Sequence, residues 1–281
     1  MEIKEIIWDA VRYPLSDWKK ILILGIILLI STFSINQLLG TIYALLDTEN
    51  VAVVIVLLTV IGLSSLFLGR GYQFRIIKSS LNGSSKLPKF NAWIDMFKNG
   101  IKMSIITIVY LIPLILILMS FKTPFVSTLH VILSNISSLI ATIFLGGVAA
   151  IFLGRGTNLV VLIGTAQGIE SLIIILYMII IFPISLMSLS NMANNNSKLS
   201  AAFKFHQIIH KITSIGWKNL IIWYMVTEIL FLIILSISSI ILKDIFRLIN
   251  PIIGIALESL IVISYLLMYL YRSVALFYMS E

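Results

Sequence analysis

The chain has 281 residues, of which 59% are hydrophobic and 11% charged, and its formal net charge is +8. Soluble globular domains contain about 25% charged residues, so this composition excludes an ordinary soluble domain. No cysteine is present, which excludes disulfides, thiolate metal sites and cysteine nucleophiles. Nucleic-acid binding is not expected either, because it needs a basic face on a soluble fold with groove-reading or base-stacking elements.

Six apolar segments, taken in chain order, reach or approach the roughly 20 residues that a helix needs to cross hydrocarbon. In lipid, backbone N–H and C=O groups must be paired within their own segment, which requires helices. The runs also lack the alternation of transmembrane β-strands. The sequence therefore predicts an all-α integral membrane protein with about six transmembrane helices. These segments are Ile21–Leu46, Val51–Leu68, Ile101–Phe121, Ser171–Leu189, Leu220–Leu242 and Ile252–Tyr271.

Three units of the chain, 1–79, 86–190 and 198–281, follow one plan within a single membrane domain. In each unit an amphipathic stretch leads into an apolar span, an outer turn, and a second apolar span that returns to basic residues. The pattern predicts three membrane hairpins, each preceded by an amphipathic interfacial helix.

The amphipathic stretches carry apolar residues at helical spacing, surrounded by polar and charged residues. Their apolar stripes are Ile3, Ile6, Ile7, Ala10 and Val11; Phe90, Trp93, Ile94, Phe97 and Ile101; and Phe205, Ile208, Ile209 and Ile212. Aromatic and lysine residues beside the spans are predicted to anchor them at the membrane interface: Trp18, Lys19, Trp93, Trp217 and Lys218. Two interpretations stay open. These helices only lead the chain into the bilayer, or they form a cytoplasmic collar that binds anionic lipid or a protein partner.

Basic residues predict the orientation of the chain. Of the 20 Lys and Arg residues, 16 lie in the N-terminal stretch, in the Arg70–Lys102 and Lys198–Lys218 loops, or near the C-terminus. The positive-inside rule places these segments in the cytoplasm. We therefore expect a multi-pass protein of the cell (plasma) membrane with both termini cytoplasmic.

An additional apolar stretch, 125–165, interrupts the middle unit. Glycines such as Gly146, Gly154 and Gly164 would break a helix there. We expect an outer-leaflet helix, a re-entrant segment or a membrane-spanning pair, and the number of crossings in 123–165 is left open.

Glu228 is the clearest polar residue inside a predicted span. It follows Lys218 by ten residues, so at 1.5 Å per residue it lies about 15 Å deep, near the middle of the hydrocarbon core. A charge there costs about 2.5–3.5 kcal/mol on insertion scales and needs a partner or a role. On the predicted topology, six polar residues converge on one candidate intramembrane pocket: Glu228, Glu258, Glu170, Gln167, Asn36 and Gln37.

Two interpretations of Glu228 stay open. A proton-accepting carboxylate at this depth suits a coupled transporter, whereas a structural acid would hydrogen-bond a neighbouring helix or pair with Arg155 or Lys243. His206 and His210 have i, i+4 spacing, but no acidic residue follows at ligand spacing, so no metal site is predicted. No cofactor is expected.

Several short motifs resemble a known family. The first block contains Gly71-Tyr72, Phe74-Arg75-Ile76-Ile77, Leu81-Asn82-Gly83, Leu87-Pro88-Lys89-Phe90, Trp93, Phe97, Gly100-Ile101-Lys102, Tyr110 and Pro113, and the second runs from Pro183 to Ala193 and from Ser200 to Phe203. On these motifs the chain resembles an archaeal polytopic membrane family, domain of unknown function family 4013. The resemblance implies a multi-span membrane protein without a known activity, so no functional residues carry over from it.

Two function classes compete. The first is a transporter- or channel-like protein with a polar pocket around Glu228. The second is a structural or scaffolding membrane protein that binds lipid or a protein partner through its cytoplasmic amphipathic helices. Homo-oligomerisation is left open. An enzyme is not favoured, because only isolated carboxylates are available and no catalytic residues are predicted.

Overall fold

The structure, a computed structural model, describes residues 1–44, 51–120, 169–247 and 251–280. Within these ranges every regular element is helical. The helices are α1 (Ile3–Arg12), α2 (Trp18–Ala44), α3 (Val51–Leu81), α4 (Trp93–Ser120), α5 (Ile169–Asn194), α6 (Phe205–Ile215), α7 (Trp217–Arg247), α8 (Pro251–Leu257) and α9 (Ser264–Met279). Short 3-10 turns occur at Pro14–Ser16 and Leu199–Phe203, and a π-helical turn at Glu258–Ile263 joins α8 to α9.

Four helical segments in the described ranges are long and apolar enough to cross a membrane: Val53–Leu81, Trp93–Leu114, Trp217–Leu242 and Glu258–Met279. The predicted all-α membrane protein is therefore confirmed at this level. Six spans in three hairpins, the single domain and the three repeat-like units stay predictions, and the apolar stretch 125–165 lies outside the described residues.

Two helices extend further than the apolar segments that predicted them. The helix α3 continues through Arg70 and Arg75 to Leu81, thirteen residues beyond the predicted end at Leu68. The helix α4 begins at Trp93 and runs without a break to Ser120. One continuous helix thus replaces the predicted interfacial helix and membrane helix of the second unit. The helix continues through Asn99-Gly100, where the glycine packs against the backbone of Phe67 instead of forming a turn.

The last helix, α9, is the centre of the packed part of the molecule. Every residue from Leu266 to Tyr278 is buried, and α9 contacts α1, α2, α3, α5 and α7. In the span Glu258–Met279, 72% of the most apolar window is buried inside protein, against 22% for Trp217–Leu242. The sequence predicted similar spans at both places. The structure surrounds the span Glu258–Met279 with protein and leaves the span Trp217–Leu242 mostly exposed, where lipid can reach it.

Glycines allow the closest helix contacts. A Cβ atom on Gly71 would overlap the carbonyl oxygen of Met96, and one on Gly100 would overlap that of Phe67. A Cβ on Gly25 would similarly overlap the carbonyl oxygen of Leu260 in the π-helical turn. Small residues let membrane helices approach until their backbones touch. Gly71 and Gly100 therefore bring α3 and α4 together along their length.

Candidate functional site

Two buried ionisable residues lie on α3 and α7, and both of these helices pack against α9. Arg70 of α3 is 1% exposed and Glu228 of α7 is 2% exposed. Both lie within electrostatic range of Tyr271 on α9. Ionisable residues in membrane helices are expensive and rare, and they are functional candidates wherever they occur. This pair, the buried polar centre, is the candidate functional site.

Arg70 is held from the α4 side. Its guanidinium Nη2 donates a hydrogen bond to Thr107 Oγ1, with a donor–acceptor distance of 2.8 Å. The hydroxyl of Thr107 in turn donates to the carbonyl oxygen of Met103, at 3.0 Å. Because that hydrogen bond uses the hydroxyl proton, Thr107 Oγ1 presents its lone pairs to Arg70. The guanidinium is therefore fixed in orientation.

Hydrogen bonds join α7 to α9 beside Glu228. The indole Nε1 of Trp223 donates to Ser273 Oγ at 2.8 Å, and Thr227 Oγ1 lies 3.5 Å from the same oxygen. The Trp223 ring stacks on Phe277, with ring centroids 4.4 Å apart. Glu228 also lies within electrostatic range of Tyr269. The side of α7 that carries Glu228 is thus attached to the central helix, while Val226, Ile233 and Ile237 are exposed on the opposite face.

Gln73 adds a further polar group on the same face of α3 as Arg70. Its side chain is fully buried, and neither atom of its amide has a hydrogen-bond partner among the described residues. A buried polar group left without a hydrogen bond costs about 1–3 kcal/mol. A buried polar group of this kind in a native fold needs an explanation. Gln73 lies one helical turn from Arg70, so we count it with the candidate functional site.

Two of the six predicted pocket residues have described side chains. Glu228 belongs to the buried centre, and Glu258 is buried in the π-helical turn, which packs against α2 and α7. The side chains of Asn36, Gln37 and Glu170 lie outside the described part of the chain, as does all of Gln167 and the suggested partner Arg155. The convergence of the six residues on one pocket stays a prediction.

The predicted interface anchors lie on the surface. Trp18, Trp93 and Trp217 are exposed, and so are Lys19 and Lys218. Their role as membrane anchors stays a prediction, because exposure alone does not place them at an interface.

Sequence reasoning missed Arg70, Gln73 and Tyr271. It assigned Arg70 to a cytoplasmic loop because the residue is basic and follows an apolar run. The structure corrects this, since α3 continues and turns Arg70 towards α4 and α9. The sequence contains a signal that the helix continues: no proline and no Asn-Gly pair separates Leu68 from Leu81. Arg70 and Gln73 also share one face of such a helix.

The motif residues that carried the resemblance have structural roles. Tyr72 donates a hydrogen bond to the carbonyl oxygen of Pro88 at 3.0 Å, and its ring stacks on Phe90 with centroids 3.8 Å apart. Arg75 Nη1 donates to the carbonyl oxygens of Lys89 and Asn91, at 2.8 and 2.6 Å. These contacts fasten the loop 82–92 to the end of α3.

Apolar helices around a buried pair of ionisable residues define the class of this protein, an all-α integral membrane protein. The chain belongs to the family described as "Protein of unknown function (DUF4013)", whose sequence model matches residues 54–242. No curated protein and no solved structure matches the chain. The matched range includes Arg70, Thr107 and Glu228, so most of the candidate site lies inside the family's own segment.

Proposed function

We propose that the protein is a transporter- or channel-like membrane protein in which Arg70 and Glu228 form the charge-coupling centre. One observation carries the proposal. Two ionisable side chains of opposite charge type are fully buried on two different apolar helices, and both lie within electrostatic range of Tyr271.

The coupling follows from the cost of a net charge in a low-dielectric interior. An ionised Glu228 offsets the positive charge of Arg70, and the centre is then neutral overall. A proton or a small cation that binds Glu228 leaves the charge of Arg70 without this compensation, which favours a different packing of α3 and α7 against α9. Proton relays and ion pathways in membrane proteins use buried carboxylates in this way.

The proposal includes a topology. Both termini and the basic loops lie in the cytoplasm of a cell (plasma) membrane, and the chain crosses in three hairpins. The clustered Lys and Arg residues other than the buried Arg70 support this orientation. Lipid contacts the exposed apolar faces of α2, α3 and α7.

The first test measures ion flux through the purified full-length protein in liposomes. Imposed proton and Na⁺ gradients are followed with entrapped pH- and Na⁺-sensitive dyes. We expect the wild-type protein to dissipate at least one gradient, and we expect Glu228→Gln to reduce that flux at least tenfold. Glu228→Asp should keep part of it, because the carboxylate is retained.

A cysteine pair provides the matched control, since the chain has no native cysteine. Thr227 is fully buried next to Glu228, whereas Val226 is exposed on the opposite face of α7. A small water-soluble thiol reagent should inhibit flux through Thr227→Cys and leave flux through Val226→Cys unaffected. Equal flux in wild type and Glu228→Gln, both correctly folded, would overturn the transport proposal.

A different observation favours the second candidate, a structural or scaffolding role. The helix α6 exposes Phe205 and Ile209 together with the basic residues Lys204 and His210. An exposed apolar and basic helix face suits an anionic lipid surface or an acidic protein partner. If the liposomes show no flux at all with any of the variants, this role becomes the leading one.

A further inference from the structure

An open groove between α1 and the loop 82–92 is not used by the proposed function. Its volume is about 360 Å³. One side is the outer face of α1, where residues at i, i+3, i+4 and i+7 line the groove. The lining includes Glu5, Trp8, Asp9 and Arg12 from α1, and Ser16 and Ser85 from the facing segments.

The groove presents one charge of each sign. The two carboxylate oxygens of Asp9 accept hydrogen bonds from Arg272, at 2.7 and 3.3 Å, so this acid is already neutralised. Glu5 and Arg12 remain, about two helical turns apart on either side of Trp8. The Arg12 guanidinium lies over the Trp8 ring, 4.3 Å from its centroid, and this cation–π contact holds the charge at the edge of the groove.

The groove opens beside a surface suited to the headgroup region of a membrane. Trp8, Leu15 and Trp18 are all more than half exposed. Trp18 begins α2, whose exposed apolar face continues through Ile26 and Phe33. Exposed tryptophans next to a lipid-facing helix are typical of the membrane–water interface.

We propose that this groove binds the headgroup of a zwitterionic phospholipid that carries an ammonium group. Its phosphate contacts Arg12 and the hydroxyl of Ser85, its ammonium group contacts Glu5, and its acyl chains lie along Leu15 and Trp18. A balanced pair of opposite charges complements a zwitterion, whereas an anionic headgroup would meet Glu5 without compensation.

Tyr13 also lines the groove and adds no charge near neutral pH. Burial raises the pKa of Tyr13, which lines the groove floor, so its hydroxyl stays protonated and donates to the carbonyl oxygen of Lys86 at 3.2 Å. The charges that a headgroup meets are therefore those of Glu5 and Arg12.

The test is a lipid titration of the full-length protein in detergent micelles, followed by native mass spectrometry. Phosphatidylethanolamine and phosphatidylglycerol with identical acyl chains are compared. We expect one phosphatidylethanolamine to bind at least tenfold more tightly than phosphatidylglycerol. Arg12→Gln and Glu5→Gln should each weaken that binding at least fivefold, while Lys98→Gln, an exposed position on α4, should leave it unchanged.

In the wild-type protein the backbone amide of Glu2 donates a hydrogen bond to the Glu5 carboxylate, at 3.1 Å. A glutamine at position 5 keeps an oxygen that can accept this hydrogen bond, so the start of α1 is preserved. Unchanged thermal unfolding of both variants would confirm that they remain folded. Equal binding of the two lipids, or full retention of phosphatidylethanolamine by Arg12→Gln, would overturn the proposal and indicate non-specific annular lipid. Soluble phosphoethanolamine that binds as tightly as the lipid would overturn the assignment to a membrane lipid.

Discussion

The side chain of Arg272 connects α9 to α1 and to the loop 82–92. It is buried on α9, donates to both oxygens of Asp9 on α1, and donates from Nη1 to the carbonyl oxygen of Ser84 at 2.6 Å. Its guanidinium also lies over the Tyr13 ring, 4.6 Å from the centroid. The sequence identified Arg272 only as a basic residue near the cytoplasmic end. Its planar, forked donors instead join both ends of the chain to the loop 82–92.

At this scale we predict that Arg272→Gln destabilises the protein by about 2–4 kcal/mol, because Asp9 loses its partner and the Ser84 carbonyl loses its donor. Arg272→Lys should recover only part of this, since a lysine cannot make the forked contact. The measurement is the apparent Tm in detergent. Lys98→Gln is the control and should stay within about 0.5 kcal/mol of wild type. An Arg272→Gln variant with the wild-type Tm would contradict the structural role.

At the scale of elements, the crossing of α3 and α4 depends on two glycines. Gly71 meets the backbone of Met96, and Gly100 meets the backbone of Phe67. The same segment of α3 carries Arg70 and Gln73, so the crossing also positions the polar centre. The resemblance motif that contains Gly71 and Gly100 is therefore explained by helix packing rather than by a ligand.

We predict that Gly71→Ala costs about 3 kcal/mol or more, because a backbone carbonyl cannot move aside as a side chain can. Gly69→Ala is the matched control two residues earlier. Its Cβ would meet only side chains, those of Leu28 at 3.3 Å and Ile27 at 3.6 Å, and alanine favours the helix by up to about 1 kcal/mol. The apparent Tm of the two variants should differ by several degrees. Equal Tm values would mean that α3 and α4 can separate at little cost.

At the scale of the whole molecule, the chain is organised around its last helix. The helix α9 packs against α1, at the opposite end of the sequence, and against α3, α5 and α7. Tyr265 donates to the carbonyl oxygen of Val11 at 2.8 Å, and Tyr278 donates to Asn191 Oδ1 at 2.9 Å. The helices that surround α9 therefore depend on contacts between segments that are far apart in the sequence.

We predict that truncation after Ile263 prevents stable folding, because it removes the thirteen consecutive buried residues from Leu266 to Tyr278 and uncovers the apolar faces packed on them. Size-exclusion chromatography of the solubilised protein measures this as loss of the monodisperse peak. A chain that ends at Met279 serves as the control and should elute like wild type. A monodisperse product from the shorter chain would show that the outer helices fold without α9.

The sequence alone predicted the class of the molecule and the approximate position of its apolar helices. The physical reason is strict: hydrocarbon thickness sets the length of a span, and unpaired backbone groups are excluded from lipid. It also identified Glu228 as an unusual buried acid. These conclusions need only local composition, so no tertiary information was required for them.

Tertiary structure decided which apolar faces meet protein and which are left for lipid. Lipid chains are as apolar as leucine, so hydropathy cannot distinguish the two surroundings. For that reason the spans in α9 and α7 both qualify as membrane spans by hydropathy but differ in burial. The same limit explains Arg70. A basic residue after an apolar run fits a cytoplasmic loop equally well, and only the packing of α3 against α4 and α9 buried it.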